Sequence, residues 1–127
     1  MAVPLLMAHP LAMAIPGSGA AVPTALNLLL LLAMGHFLGD FALQSDRMAL
    51  EKCPQARGVL PWGWWMAAHG GIHGFLVAVL TGVPLLGLAE WVAHVCIDLG
   101  KCRRLYRIGI DQALHLACKL IWVALVA

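Results

Sequence analysis

Four pairs of ionisable residues recur in this sequence, each with its members four positions apart. They are His36/Asp40, His69/His73, His94/Asp98 and Asp111/His115. On a helix, residues four apart project from the same face, so each pair can present two side chains to one site. Imidazole binds Zn, Fe, Cu and Ni, and carboxylates also suit Mn and Mg. These eight side chains indicate a site for one or two divalent metal ions, and we expect Zn, Fe or Mn.

Further polar residues accompany the pairs and are assigned to orienting the ligands or to binding a substrate. They are Gln44, Gln112, Glu90 and Lys101. Glu90 lies deeper in its helix than the pairs, so we expect it to pair with Lys119 or to carry a proton. The Lys and Arg side chains in the polar segments between the helices would attract an anionic group of a substrate.

The composition is typical of an integral membrane protein. The chain has 127 residues, of which 62% are hydrophobic and 11% are charged, whereas a soluble domain carries about 25% charged residues. The net charge of +2 is small, and no basic stripe alternates with aromatic residues. The composition therefore favours an integral membrane protein in contact with the lipid bilayer and excludes a nucleic-acid partner.

Four apolar segments predict an all-α bundle of four transmembrane helices that run up, down, up and down. The predicted helices cover about residues 24–44, 64–81, 85–99 and 108–127. A helix rises about 1.5 Å per residue, so the first segment just crosses a hydrocarbon core roughly 30 Å thick. Residues 24–127 form the predicted membrane domain, and the apolar, proline-rich residues 1–23 an irregular or interfacial leader.

The charge distribution predicts the orientation of the bundle. Seven of the eight Lys and Arg residues lie in two polar connections, residues 45–63 and 100–107. The positive-inside rule makes these connections cytoplasmic and places both termini outside the cytoplasm. All four pairs then lie at one depth, just inside the cytoplasmic face. The four cysteines show no metal-binding spacing, and we expect free thiols.

Glycines flank the pairs at the same spacing. Gly35 and Gly39 flank the first pair, and Gly70 and Gly74 accompany the second. Small residues four apart let membrane helices approach closely, which short side chains such as that of Asp40 need in order to share a site. Each pair alone also has a structural explanation, as a helix cap or an interfacial polar group. Such explanations do not account for one spacing and one depth in all four.

The motifs GHFLGDFALQSD, HGGIHG, HVCID with Lys101, and DQALHL resemble those of a family of small bacterial and phage integral membrane proteins. That family is known only as a domain of unknown function, and the resemblance runs from Leu28 to the C-terminus. It implies a multi-pass inner-membrane protein and includes the eight paired residues with Gln44 and Gln112. The pattern is also loosely similar to that of membrane-bound metal-dependent hydrolases.

The function expected from these patterns is metal-dependent hydrolysis of a lipid-linked or phosphorylated substrate, although the residues alone do not establish an enzyme. One alternative is a metal-ion or proton carrier. Another is haem or pigment binding, with axial ligands from His36, His69, His94 and His115. A fourth is a structural subunit whose polar cluster only joins the helices. A homo-oligomer or a larger membrane complex is compatible with all four.

Overall fold

The computed structural model describes residues 24–127, so the predicted leader lies outside the described residues. Every regular element in this range is helical, in agreement with the all-α prediction. The elements are α1 (Thr24–Phe37), a π-helical turn (Leu38–Ala42), α2 (Asp46–Glu51), α3 (Trp62–Thr81), α4 (Pro84–Cys102) and α5 (Ile108–Val126).

The four long helices form a ring. Helix α1 contacts α3 and α5, and α4 contacts the same two helices from the other side. Side chains that point inward from all four helices can therefore meet on the axis of the ring. The short helix α2 packs against α3 and lies in a segment predicted to be a polar connection.

The end of the first helix widens into a π-helical turn. The backbone N–H of Leu43 donates to the carbonyl of Leu38 at 2.9 Å, one residue further back than in an α-helix. Single π-turns inside α-helices are rare and often occur at functional sites. This turn carries Gly39 and Asp40, which are both buried.

Helices α3 and α4 form a close pair. Gly82 has a φ of 71°, a left-handed conformation that glycine adopts without a steric cost, and Pro84 opens α4 at a position where its missing N–H is tolerated. Farther along the pair, a Cβ on Gly74 would lie 2.6 Å from the carbonyl oxygen of Gly87. The two backbones are therefore in direct contact, and no larger residue fits at Gly74.

The interior of the bundle is more polar than its surface. Within residues 24–127, twelve polar or charged side chains are buried, against six large apolar ones. Leu28, Leu32, Val77 and Val123 form one apolar cluster inside the ring. Leu, Val, Ile, Phe and Trp side chains on all four long helices are exposed instead. A soluble protein rarely exposes continuous apolar surface on this scale.

Two segments in the described part of the chain are long and apolar enough to cross a membrane, where four were expected. They are Thr24–Ala42 and Ile108–Val126. Only 28% and 22% of these segments are buried inside the protein, whereas the core helix of a soluble protein is mostly buried. Helix α3 does not meet this criterion because its His, Trp and Gly residues lower its mean hydropathy. Helix α4 does not meet it because it contains charged residues.

The expectation of four free thiols is wrong for two of the cysteines. Cys53, in the connection after α2, forms a disulfide with Cys102, the last residue of α4. Their Cα atoms are 5.4 Å apart although 49 positions separate them in sequence. Cys96 and Cys118 are free thiols, as predicted. Spacing alone could not show the pairing, because only the fold brings the connection after α2 to the end of α4.

Candidate metal centre

The four helices bring all eight paired residues into one buried cluster. Each of the eight is buried, and Asp40 is the most exposed of them at 8%. The side chains come from the π-turn and the end of α1, the middle of α3, the second half of α4 and the start of α5. Within the cluster, three smaller groups each have one potential ligand atom per residue, all within 4.8 Å of one another.

The largest group consists of Asp40, His69, His73 and His94. Asp40 Oδ1 lies 3.0 Å from Nε2 of His73, 3.3 Å from Nε2 of His69 and 3.7 Å from Nε2 of His94. The Nε2 atoms of His69 and His94 are 3.1 Å apart. The four side chains therefore point their ligand atoms at one position between the π-turn, α3 and α4.

Two atoms of this group have no conventional partner. Asp40 Oδ1 and His73 Nε2 are buried and neither meets the geometry of a hydrogen bond within the described residues. A buried polar atom without a partner costs about 1–3 kcal/mol. A carboxylate oxygen and an imidazole nitrogen that face each other in this way fit a shared metal ion, and the donor set of three imidazoles and one carboxylate suits Zn, Fe or Mn.

Charge balance also singles out Asp40. Among the described residues, Asp40 has only histidines as ion-pair partners, whereas each of the other buried carboxylates contacts a lysine. A buried carboxylate requires a compensating positive charge. A divalent ion held by Asp40 and the three histidines would supply it.

The second group consists of His36, His94 and His115. The rings of His94 and His115 stack with centroids 4.0 Å apart, and the ring of His73 stacks on His94 at 3.7 Å. His94 therefore lies at the centre of the cluster and belongs to two of the three groups.

Gln112 connects the second group to Asp40. Its amide nitrogen donates to Asp40 Oδ2 at 2.7 Å, and its amide oxygen lies 3.0 Å from His36 Nε2. Gln112, predicted to orient ligands or substrate, thus lies inside the cluster. Gln44 instead bonds to the backbone, since its side-chain amide donates to the carbonyl of Asp40 in the π-turn at 2.9 Å.

The third group consists of Asp98, Asp111 and His115. His115 Nε2 lies 3.3 Å from Asp98 Oδ1 and 3.6 Å from Asp111 Oδ1. Two lysines neutralise this group: Lys52 donates to Asp98 Oδ2, and Lys101 donates to Asp111 Oδ2 at 2.9 Å. Lys101 was predicted near the site, but Lys52 was not.

A further buried network lies beside His94. Glu90 Oε1 accepts from the ammonium of Lys119 and lies 3.4 Å from His94 Nδ1, and Glu90 Oε2 accepts from Trp122 Nε1 at 2.6 Å. The predicted pairing of Glu90 with Lys119 is therefore present. Because Glu90 lies on the Nδ1 side of His94, the Nε2 side of that ring is left for the Asp40 group.

Tyr106 closes the connection between α4 and α5 beside the third group. Its hydroxyl donates to the carbonyl of Ile97, and a Cβ on Gly100 would clash with its ring. Burial raises the pKa of Tyr106 above its ordinary value, with a smaller contribution from the negative charge of Asp111. This contact holds the end of α4 near the start of α5.

Comparison with known proteins gives one family. A family model described as "Protein of unknown function (DUF3307)" matches residues 28–127. No curated protein and no solved structure matches the chain. The matched range contains all eight residues of the cluster and both cysteines of the disulfide.

Proposed function

We propose that this chain, which belongs to the DUF3307 family, is a multi-pass membrane protein that binds a divalent metal ion through Asp40, His69, His73 and His94. One observation carries the proposal. The four ligand atoms lie within 4.8 Å of one another and are buried, and two of them have no hydrogen-bond partner within the described residues. Asp98, Asp111, His36 and His115 complete the polar cluster around this position.

The distribution of polarity supports a membrane location. Apolar side chains cover the outside of the bundle and polar ones fill the inside, as expected where lipid surrounds a protein. In this proposal all four long helices cross the bacterial inner membrane, α3 and α4 with their polar faces turned inward. The basic connections face the cytoplasm under the positive-inside rule, so the metal lies near the cytoplasmic end.

The chemistry that suits the site is hydrolysis of a lipid-linked or phosphorylated substrate. A bound divalent ion with an open position supplies Lewis acidity to water or to a phosphoryl oxygen. Lys101 is 28% exposed and beside the cluster, so its ammonium can meet an anionic group at the rim. Gln112 can hold the Asp40 carboxylate in place through the hydrogen bond described above.

Ring packing favours a metal ion over a haem. His73, His94 and His115 stack directly on one another, so these three rings leave no slot between them for a porphyrin. The apolar cluster of Leu28, Leu32, Val77 and Val123 also lies across the interior of the ring. A metal-ion or proton carrier would need a polar path through this part of the ring, so the apolar cluster argues against that function.

Metal analysis of the full chain in detergent tests the proposal. We expect about one Zn, Fe or Mn ion per chain in the wild type, and at least tenfold weaker retention in Asp40→Asn, since a metal ligand is lost. Asp46→Asn is the matched control, because Asp46 is an exposed carboxylate on α2 outside the cluster. Equal metal content in Asp40→Asn and Asp46→Asn would refute the assignment.

A further inference from the structure

The two cysteines of the disulfide each follow a lysine that lies on the third group. The sequence reads Lys52-Cys53 and Lys101-Cys102. Lys52 donates to Asp98, and Lys101 contacts both Asp98 and Asp111. The covalent bond between the cysteines therefore joins the two segments whose ammonium groups neutralise the carboxylates.

Lys52 lies directly beside the disulfide and has little regular structure of its own to hold it. It comes directly after α2, which has only six residues, and it is buried, with its ammonium group on a carboxylate that belongs to α4. Other ties hold α2 to α3, such as the Trp65 hydrogen bond to Glu51 at 3.0 Å. The connection is tied to α4 by the Cys53–Cys102 bond, by the Lys52–Asp98 pair and by a long hydrogen bond, 3.5 Å, from the Gln55 amide to the carbonyl of Cys102. Without the bond, the segment that carries Lys52 gains conformational freedom when it separates from α4. Its ammonium group can then leave the buried carboxylate for water more easily.

The group beneath the lysines is itself suited to a cation. Asp98, Asp111 and His115 place one ligand atom each within 4.8 Å, and all three are buried. Asp111 Oδ1 makes no hydrogen bond within the described residues. Two carboxylates and an imidazole form a donor set for a divalent ion, and the positive charges of the two lysines beside these carboxylates oppose the binding of a cation there.

The location of the bond also points to a reversible disulfide. The proposed orientation places both cysteines on the cytoplasmic side, where disulfides are usually transient and catalytic or redox-sensing. Cys102 lines an open surface pocket with Gln55, Arg103 and Arg104, so solvent and small molecules reach this residue. Neighbouring arginines stabilise a thiolate and favour exchange.

We propose that the Cys53–Cys102 disulfide is a redox latch that holds Lys52 on Asp98, and that its reduction lets Asp98, Asp111 and His115 bind a second divalent cation. The reductant is a cellular dithiol, which supplies two electrons and two protons. The S–S bond breaks, two thiols form, and the dithiol becomes a disulfide. This inference rests on the proposed metal centre and concerns its regulation.

Zinc stoichiometry of the full chain in detergent tests the latch. We expect about one zinc ion per oxidised chain, and about two after a phosphine reductant or in the Cys53→Ser/Cys102→Ser double variant. Lys52→Met should bind the second ion with the disulfide intact. The matched control is Cys96→Ser/Cys118→Ser, which changes the two free thiols and should stay at one.

The outcomes separate the two proposals. One zinc ion in every sample would overturn the latch and leave the metal centre intact, whereas none in the oxidised wild type would overturn the metal centre itself. Thiol trapping in intact cells measures the fraction of Cys53 and Cys102 that is present as free thiol, and this measurement does not depend on metal. The trapped fraction of Cys53 and Cys102 should fall when cells meet a thiol oxidant, and a bond fully formed in both conditions would overturn the latch.

Discussion

Glu90 shows how one residue can affect the site without being a ligand. Its two oxygens are held by Lys119 and Trp122, and one of them lies 3.4 Å from His94 Nδ1. Carboxylates placed behind metal-binding histidines fix the ring orientation and the tautomer. We infer that Glu90 acts on His94 through this charge contact as a positioning residue, and it is also the charge partner of a buried lysine.

We predict that Glu90→Gln both destabilises the protein and weakens metal binding. The substitution leaves Lys119 buried without a negative partner, which costs about 3–5 kcal/mol when a buried pair loses one member. Metal affinity should fall by about 10- to 100-fold, since His94 loses its orienting carboxylate. Thermal unfolding in detergent and a zinc titration measure the two effects.

A double variant separates the two roles of Glu90. Glu90→Gln with Lys119→Met removes both charges, so most of the lost stability should return while zinc affinity stays low. Full recovery of zinc affinity in the double variant would show that Glu90 acts only through the charge of Lys119.

At the scale of elements, the π-turn and the glycines decide how closely the side chains approach. The wider turn carries Asp40 on a backbone offset from the α1 register, and Gly39 lies directly against His73. A Cβ on Gly39 would be 2.5 Å from His73 Cε1, so a methyl group there would displace the imidazole. At Gly39, the predicted role of small residues thus corresponds to one specific contact, the close approach of the glycine to the His73 ring.

We therefore predict that Gly39→Ala reduces zinc affinity at least tenfold while helicity is retained, because the added methyl moves His73 away from Asp40. Gly63→Ala is the control, since a Cβ there meets no atom within 4 Å. In the control, affinity should be unchanged and stability equal or slightly higher, as alanine favours a helix over glycine by about 1 kcal/mol. Circular dichroism and a zinc titration are the measurements, and equal affinity in both variants would count against the close-approach argument.

At the scale of the whole molecule, apolar side chains cover the outside of the bundle and charged side chains lie buried inside it, so the buried charges must be compensated. Charged groups inside a lipid-exposed bundle are tolerated only where they pair with one another or bind an ion. The lysines satisfy Asp98, Asp111 and Glu90, and the histidines surround Asp40. The bundle thus gathers six of its charged side chains in the interior and presents mainly apolar side chains on the outside of its long helices.

We predict that reporter fusions will show both basic connections in the cytoplasm and the C-terminus outside it. Alkaline phosphatase fused after Ala127 should be active, and fusions after Arg57 or Arg104 inactive, because the basic residues of those connections hold them on the cytoplasmic side. Activity at Arg57 and Arg104 instead would reverse the orientation. It would also place the disulfide in an oxidising compartment and so remove the latch.

Much of the chemistry of this protein is local and is therefore readable from the sequence. The spacing of four identifies the polar face of each helix, so His36, His73 and the other paired residues could be selected without coordinates. The apolar segments likewise predict helices, because their composition and length reflect burial and backbone satisfaction within one segment.

The grouping of those residues was decided by the tertiary structure. Contacts between distant segments decide which carboxylate has no lysine partner, and they bring Lys52 to Asp98 and Cys53 to Cys102. The structure also places Asp40 on a π-turn. Helical periodicity assigns a side chain to a face, but the helix packing sets which faces meet and at what distance. The sequence by itself therefore determined the set of potential ligands, and only the fold separated the Asp40 position from the lysine-covered one.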